Sequence, residues 1–171
     1  ITANGPGIDA QGGRVTVNGG SITTLYNFGG GCVNVSGGEV TINAGTFDAT
    51  HKGTYEYKMS DKATDNKGSA VINGGTFIAN EYGISLPYDS TGSLEIHGGT
   101  FTGESGYGLN RSGSGSEVTL YGGTYTGNNA IVSPVLKEIL AEGYIYYALG
   151  NGGKTPITLT SSNTLSGTVT V

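Results

Sequence analysis

The sequence predicts an all-β protein, a parallel β-helix of about five coils closed by a C-terminal cap. Glycine supplies 33 of the 171 residues, and only 12% of the residues are charged. Val, Ile, Thr and Tyr are plentiful, which favours packed strands over disorder. A short apolar strand followed by a small-residue corner then recurs along the chain as VTVNGGSI, VTINAGTF, VINGGTFIAN, LEIHGGTF and VTLYGGTY.

The repeat has the spacing of a solenoid. The residues that follow the corner Ser or Thr are separated by steps of 25, 30, 24 and 24, and they are Ile22, Phe47, Phe77, Phe101 and Tyr125. Periods in this range indicate stacked coils, each too small to bury its apolar side alone. The Leu-x-x-Leu-x-Leu pattern of a leucine-rich repeat is absent. Parallel strands joined by crossovers favour a right-handed coil.

Each coil divides into three short strands. In one coil they are expected at 76–78, 82–86 and 93–97, and the next coil repeats this plan. The opening residues GPGIDAQGG fit the second strand of an incomplete first coil. The 30-residue step is assigned to an insertion loop at 51–67, so that the repeat region covers 1–133.

The third strand and its corner explain the motif. Its side chains alternate, so that Val15 and Val17, like their counterparts in later coils, point inward. The corner glycines allow a sharp turn and close stacking of the coils. The aromatic residue after the corner then returns to the core, where the copies are expected to stack on one another.

The period stops at 134, and residues 134–171 are expected to form a C-terminal cap. Pro134 suits the first turn of a short helix at 135–142, which Gly143 would end. YIYYAL, PITLT and TLSGTVTV follow as candidate short strands. A cap of this kind protects the exposed edges at the end of a solenoid from association.

Repeats of the form VTINAGTF and VINGGTF resemble those of bacterial surface proteins, familiar from gut Firmicutes. The resemblance covers about 15–133, and LAEGYIYYALGNGG resembles the segment that often closes such domains. It implies a right-handed parallel β-helix of the pectate-lyase-like kind, secreted or held at the cell surface. That fold carries lyases, hydrolases, adhesins and passive stalks, so it does not select among functions.

Composition and spacing argue against several classes of partner and cofactor. The net charge is −5 without a basic run, which disfavours nucleic acid. No apolar stretch is long enough for a membrane helix. His51 and His97 are isolated from other metal ligands, and Cys32 is expected in the core, so no metal or other cofactor is expected. A chain beginning ITANGPGI is expected to be part of a larger, multidomain protein.

One corner of the predicted coil collects candidate ligand-binding residues. Glu81 and Glu104 precede the second strands of adjacent coils, Tyr82 and Tyr107 follow them, and Arg111 ends the later strand. Tyrosine rings stack on sugars and carboxylates accept sugar hydroxyls, so these five residues could form a glycan-binding site. The alternative is that they are ordinary corner residues that shield the coil edge. The outward positions that align along the third strands and their corner supply only single acids. The one plausible catalytic pair, Glu81 with Glu104, lies in connections of unequal length, which argues against a fixed geometry.

Three functional hypotheses follow. The favoured one is a non-catalytic segment of a secreted or surface-anchored bacterial protein, acting in adhesion or as a spacer. A glycan-binding module that contacts host or plant polysaccharide is the second, and a surface protein is the other partner considered. A polysaccharide lyase or hydrolase is the third, and it rests on fold analogy alone, so the sequence leans against catalysis without deciding it.

Overall fold

The computed structural model describes residues 1–25, 31–50, 55–59, 68–88, 90–159 and 163–171, the segment 55–59 by its backbone only. The strands in these ranges are β1 (Thr2–Ala3), β2 (Ile8–Ala10), β3 (Arg14–Val17), β4 (Ser21–Thr24), β5 (Val33–Val35), β6 (Glu39–Ile42), β7 (Thr46–Ala49), β8 (Tyr55–Met59), β9 (Ser69–Ile72), β10 (Thr76–Ala79), β11 (Tyr82–Leu86), β12 (Gly92–Ile96), β13 (Thr100–Gly103), β14 (Tyr107–Arg111), β15 (Ser116–Leu120), β16 (Thr124–Val132), β17 (Tyr147–Gly150), β18 (Gly153–Pro156) and β19 (Thr164–Thr170).

The strands stack as a parallel β-solenoid of about four turns, which confirms the predicted fold class. The first face is β1-β4-β7-β10-β13-β16, and the second is β2-β5-β8-β11-β14-β16. The third face is β3-β6-β9-β12-β15. The coil count is close to the five expected, and the right-handed sense stays a prediction.

Stacked aromatic rings form the centre of the core, as the repeat predicts. Adjacent ring centroids lie 4.5 Å apart from Phe47 to Phe77, 5.0 Å from Phe77 to Phe101 and 5.2 Å from Phe101 to Tyr125. All four rings are buried. The stack is possible because the strands of the first face pair in register, residue for residue.

The corner after the third face requires glycine in these coils. Gly45, Gly75 and Gly99 have φ of 133°, 114° and 113°, a region that other residues rarely adopt. A Cβ at Gly75 would lie 3.2 Å from the carbonyl oxygen of Gly45 in the preceding coil. The corner therefore needs glycine both for its backbone conformation and for the spacing of the coils.

The C-terminal end of the stack is covered by the tail. Strand β16 runs along both the first and the second face, and β19 pairs with it antiparallel from Thr124–Thr170 to Val132–Thr164. The hairpin of β17 and β18 extends this layer, since β17 pairs with β19. The edge that β16 would otherwise expose is thus paired from end to end, with irregularities between Gly127 and Ile131.

The predicted helix at 135–142 is wrong. The segment forms hydrogen-bonded turns over 134–139, with the amides of Glu138 and Ile139 both donating to the carbonyl of Val135. The backbone that follows these turns pairs with Leu120 of β15. The amide of Leu120 donates to the carbonyl of Ile139, and the carbonyl of Leu120 accepts from the amide of Ala141. This pairing with the last strand of the third face uses backbone amide and carbonyl groups that a longer helix would need for its own hydrogen bonds.

The interpretation of 51–67 as an insertion loop is also wrong in part. Tyr55–Met59 forms β8, which pairs in parallel with β5 on one side and β11 on the other. The segment therefore supplies the second strand of its coil. Residues 51–54 and 60–67 lie outside the described residues.

Truncation of a central ring tests the aromatic stack. Phe101→Ala should lower the free energy of unfolding by about 3–5 kcal/mol, because it leaves a cavity between two stacked rings. Thr102→Ala, on the same strand but partly exposed, is the matched control and should change stability by less than about 0.5 kcal/mol. Chemical denaturation measures both, and equal midpoints for the two variants would contradict the packing argument.

Buried phenols should make the fold sensitive to alkali. Burial raises the pKa of Tyr125 and of Tyr146, whose hydroxyls donate to the carbonyls of Gly122 and Leu136 at 2.9 Å. In the unfolded chain the phenols lose their protons near pH 10, so stability should be intact below about pH 10 and fall above it.

Denaturation midpoints measured from neutral to strongly alkaline pH test this dependence. Tyr146→Phe should flatten the alkaline fall, even if the lost hydrogen bond lowers stability at neutral pH. Tyr88→Phe, at a ring that is 80% exposed, is the control and should leave the slope as it is. An alkaline slope that is the same in Tyr146→Phe as in the parent would show that burial of this phenol is not its source.

Candidate functional site

Tyr82 and Tyr107 come together as predicted. They pair in register on the second face, and their rings stack with centroids 5.5 Å apart and planes 7° apart. Burial is the largest cause of a raised pKa at Tyr82, followed by the charge of Glu81 and by Tyr107. Because each ring covers a face of the other, this corner presents ring edges and hydroxyls more readily than open ring faces.

The two glutamates of the corner are exposed, but they do not lie in register in their adjacent coils. The amide of Glu104 donates to the carbonyl of Ala79, which places Glu104 beside Asn80. The carbonyl of Glu81 instead accepts from the amide of Tyr107. The longer connection of the later coil thus moves Glu104 out of register with Glu81. The structure brings both acids to one corner without aligning them as a pair.

Arg111 does not belong to this corner. It lies four residues beyond Tyr107 on β14, roughly 13 Å along the strand, and it stacks in register on the buried Leu86. Its side chain is 5% exposed, and its Nη2 donates to the carbonyls of Ser116 at 2.5 Å and Ser114 at 3.1 Å. Its Nε and Nη1 are buried with no hydrogen-bond partner among the described residues.

The surroundings of Arg111 are electrostatically mixed. Burial lowers the pKa of its guanidinium, and the nearby carboxylate of Glu138 acts in the opposite direction. Glu138 and Glu117 are exposed, and both border the same depression as Arg111. One signal for the burial of Arg111 was available in the sequence. Arg111 occupies the solenoid position that Ala10, Val35 and Leu86 occupy in earlier coils, and those residues lie in the core.

A second ladder runs along the corner between the third and first faces. The side-chain amides of Asn18, Asn43 and Asn73 are linked in series, each bond 2.8 Å long. In later coils the same position holds His97 and Tyr121, whose rings stack at 4.6 Å and 2°. Sequence reasoning did not single out this pairing, although Asn recurring at the solenoid period was the available signal.

A furrow runs along the opposite corner, between the second and third faces. Its floor is a column of glycines just before the aligned residues of the third face, namely Gly13, Gly38, Gly68 and Gly92. In the last coil this column continues as Ser116, with Gly115 one residue before it. Three depressions of about 400, 140 and 390 Å³ adjoin one another at Ser69 and Glu117. Arg111 and Glu138 border the last of them. Sequence reasoning did not single out this glycine column.

Among the residues that the structure describes, no group of three or more His, Cys, Asp or Glu residues is arranged to hold a metal ion. No helix long and apolar enough to span a membrane occurs within those residues. Cys32 is fully buried, in agreement with its predicted place in the core.

No protein-family model, curated protein or solved structure matches the chain.

Proposed function

We propose that the chain is a non-catalytic β-solenoid segment that acts as a rigid spacer. The observation that carries this proposal is the pairing of outward side chains with their own counterparts in adjacent coils. Asn43 is bonded to Asn18 and to Asn73, and Tyr82 stacks on Tyr107. Side chains held in this way stiffen the stack and are poorly placed to act on a substrate.

Further outward contacts follow the same rule at the first coils. Arg14 of β3 bonds Glu39 of β6 at 2.7 Å, and Asn34 of β5 bonds Asp9 of β2 at 2.6 Å. Each exposed contact contributes little to stability by itself. Repeated at every step, they oppose sliding and bending of one coil on the next, which a spacer requires.

The closed C-terminal end also supports a passive role. Strand β19 pairs with β16, the last strand of the first and second faces, and the backbone of 139–141 pairs with Leu120 at the end of the third face. A paired edge does not recruit further strands, so the stack has a defined length on this side. A fixed length is the property that separates a spacer from a polymerising filament.

Location and setting belong to the same proposal. The resemblance of the repeats to those of bacterial surface proteins supports a secreted or cell-surface place within a larger protein. Adhesion to a surface protein or to a host or plant glycan would be compatible with a spacer. Contact of a glycan with the Tyr82–Tyr107 corner is the second candidate, favoured by the partial exposure of both rings beside Glu81 and Glu104.

Duplication of one coil tests the spacer proposal directly. Residues 76–99 span one 24-residue repeat, and a second copy would join itself through the same Gly-Gly-Thr-Phe sequence. Spin labels at Thr16→Cys and Thr119→Cys lie in one column of the third face. Their separation should rise by one strand spacing, from roughly 19 Å to about 24 Å.

The parent protein carrying the same labels is the control for this measurement by pulsed electron resonance. Cys32 is buried and should remain unlabelled. A duplicated protein that melts well below the parent, or whose label distance does not increase, would contradict a modular rod. Either result would mean that the coils are not interchangeable units.

An assay on neutral and acidic polysaccharides, with and without calcium, tests the absence of catalysis. No release of reducing ends or unsaturated products is expected, because Glu81 and Glu104 are out of register and do not form the aligned pair of acids that glycoside hydrolysis requires. Turnover that is lost in Glu104→Gln but kept in Glu142→Gln, a change at an exposed acid of the tail, would overturn the proposal.

A further inference from the structure

The furrow between the second and third faces is a built feature of the stack. A Cβ at Gly38 would lie 3.1 Å from the carbonyl oxygens of Gly12 and Gly13. At Gly68 it would lie 2.8 Å from Cγ1 of Val35, and at Gly115 it would lie 2.7 Å from the carbonyl oxygen of Ser90. The tight coil spacing therefore excludes side chains at these three positions, whereas nothing lies within 4 Å of a Cβ placed at Gly13.

The furrow crosses the strands and runs along the stack. One wall is the in-register column Arg14, Glu39, Ser69, Ser93 and Glu117, one residue from each coil. Four strand spacings separate its first and last members, roughly 19 Å. An extended ligand of several units would fit this length better than a compact small molecule.

The C-terminal end of the furrow contains unmet hydrogen-bonding capacity. Arg111 is 5% exposed, and its Nε and Nη1 have no partner in the described structure. A buried donor without an acceptor costs about 1–3 kcal/mol, and more when it is charged. Arg111 is one of the residues that line the depression bordered by Glu117 and Glu138, so an acceptor bound there would lie next to this side chain.

The charged side chains that line the furrow indicate which chemical class of ligand it would bind. Glu39, Glu117 and Glu138 line it against two guanidinium groups, and Arg14 is already paired with Glu39. This balance disfavours a polyanion. A hydroxyl can donate to a carboxylate and accept from Arg111 at the same time, which suits a mixture of acids and an unpartnered donor.

The direction of the furrow argues against a peptide. An extended peptide gains affinity by pairing with a strand edge. Within the stack the strand edges along this corner are already paired, and the furrow lies across them. A peptide in it would leave its own backbone groups without partners. A saccharide has no such backbone requirement.

We propose that this furrow binds a linear, neutral saccharide, with Arg111, Glu117 and Glu138 contacting its hydroxyls at the C-terminal end. This goes beyond the spacer role and does not depend on it. The site is separate from the Tyr82–Tyr107 corner, so variants at the two places distinguish them.

Titration by nuclear magnetic resonance tests the proposal on the full chain. The probes are linear hexasaccharides of glucose, mannose and xylose, with a galacturonate hexasaccharide and an oligolysine peptide for comparison. At least one neutral probe should shift the amides of Gly68, Gly92 and Gly115 and the Nε–H signal of Arg111 in a saturable manner. Ser93→Gln, which fills the furrow, and Glu117→Gln should each weaken binding at least about tenfold.

Matched controls locate the effect. Thr102→Gln on the first face and Tyr107→Ala at the tyrosine corner should leave the affinity within about twofold, since neither residue lines the furrow. Arg111→Met should weaken binding as well. If that variant fails to fold, the Arg111 Nε–H signal of the parent and the Ser93→Gln variant still decide the question.

Several results would overturn the furrow site. They are no saturable shift with any neutral hexasaccharide, preference for galacturonate or for oligolysine, and loss of binding in Tyr107→Ala with retention in Ser93→Gln. Cleavage of a bound probe would instead refute the non-catalytic spacer proposal and leave the furrow as the place of binding.

Discussion

In-register stacking of parallel coils is the constraint on which the rest of the structure depends. Each coil leaves an apolar side and a row of backbone groups that only another coil can cover. Register must therefore repeat from coil to coil, and Phe47, Phe77 and Phe101 fall above one another with ring centroids 4.5 to 5.0 Å apart. The free energy of folding is thus shared among interfaces between coils more than it is held within any one of them.

The same constraint shapes the outer surface. Close approach excludes side chains at Gly38, Gly68 and Gly115, and it brings like residues together on the corners. One corner becomes an amide ladder through Asn43, another an aromatic pair at Tyr82, and the third an open furrow. A structural requirement for glycine is therefore also what leaves room for a ligand.

The last coil is where the pattern can change. Arg111 continues a column whose earlier members are apolar. It is accommodated because the carbonyls of Ser114 and Ser116, at the start of β15, accept from its guanidinium and because Glu138 of the cap lies nearby. A guanidinium in the middle of the stack would face an apolar neighbour on both sides and would be far more costly. The end of a solenoid can thus hold polar groups that its interior cannot.

The sequence by itself determined the parts that repeat. Its period, its alternation of inward residues and its glycine corners were enough to predict the parallel solenoid and the stacking of Phe77 on Phe101, because each coil imposes the same local rule on the next. Only the tertiary structure decided the conformation of the segments that do not follow the repeat. The residues at 135–142 have helical character, yet pairing with Leu120 holds them in turns, and Tyr55–Met59 is a strand because β5 and β11 present edges on either side. The register of Glu104 and the burial of Arg111 likewise follow from contacts with neighbouring coils and the cap, which no local pattern records.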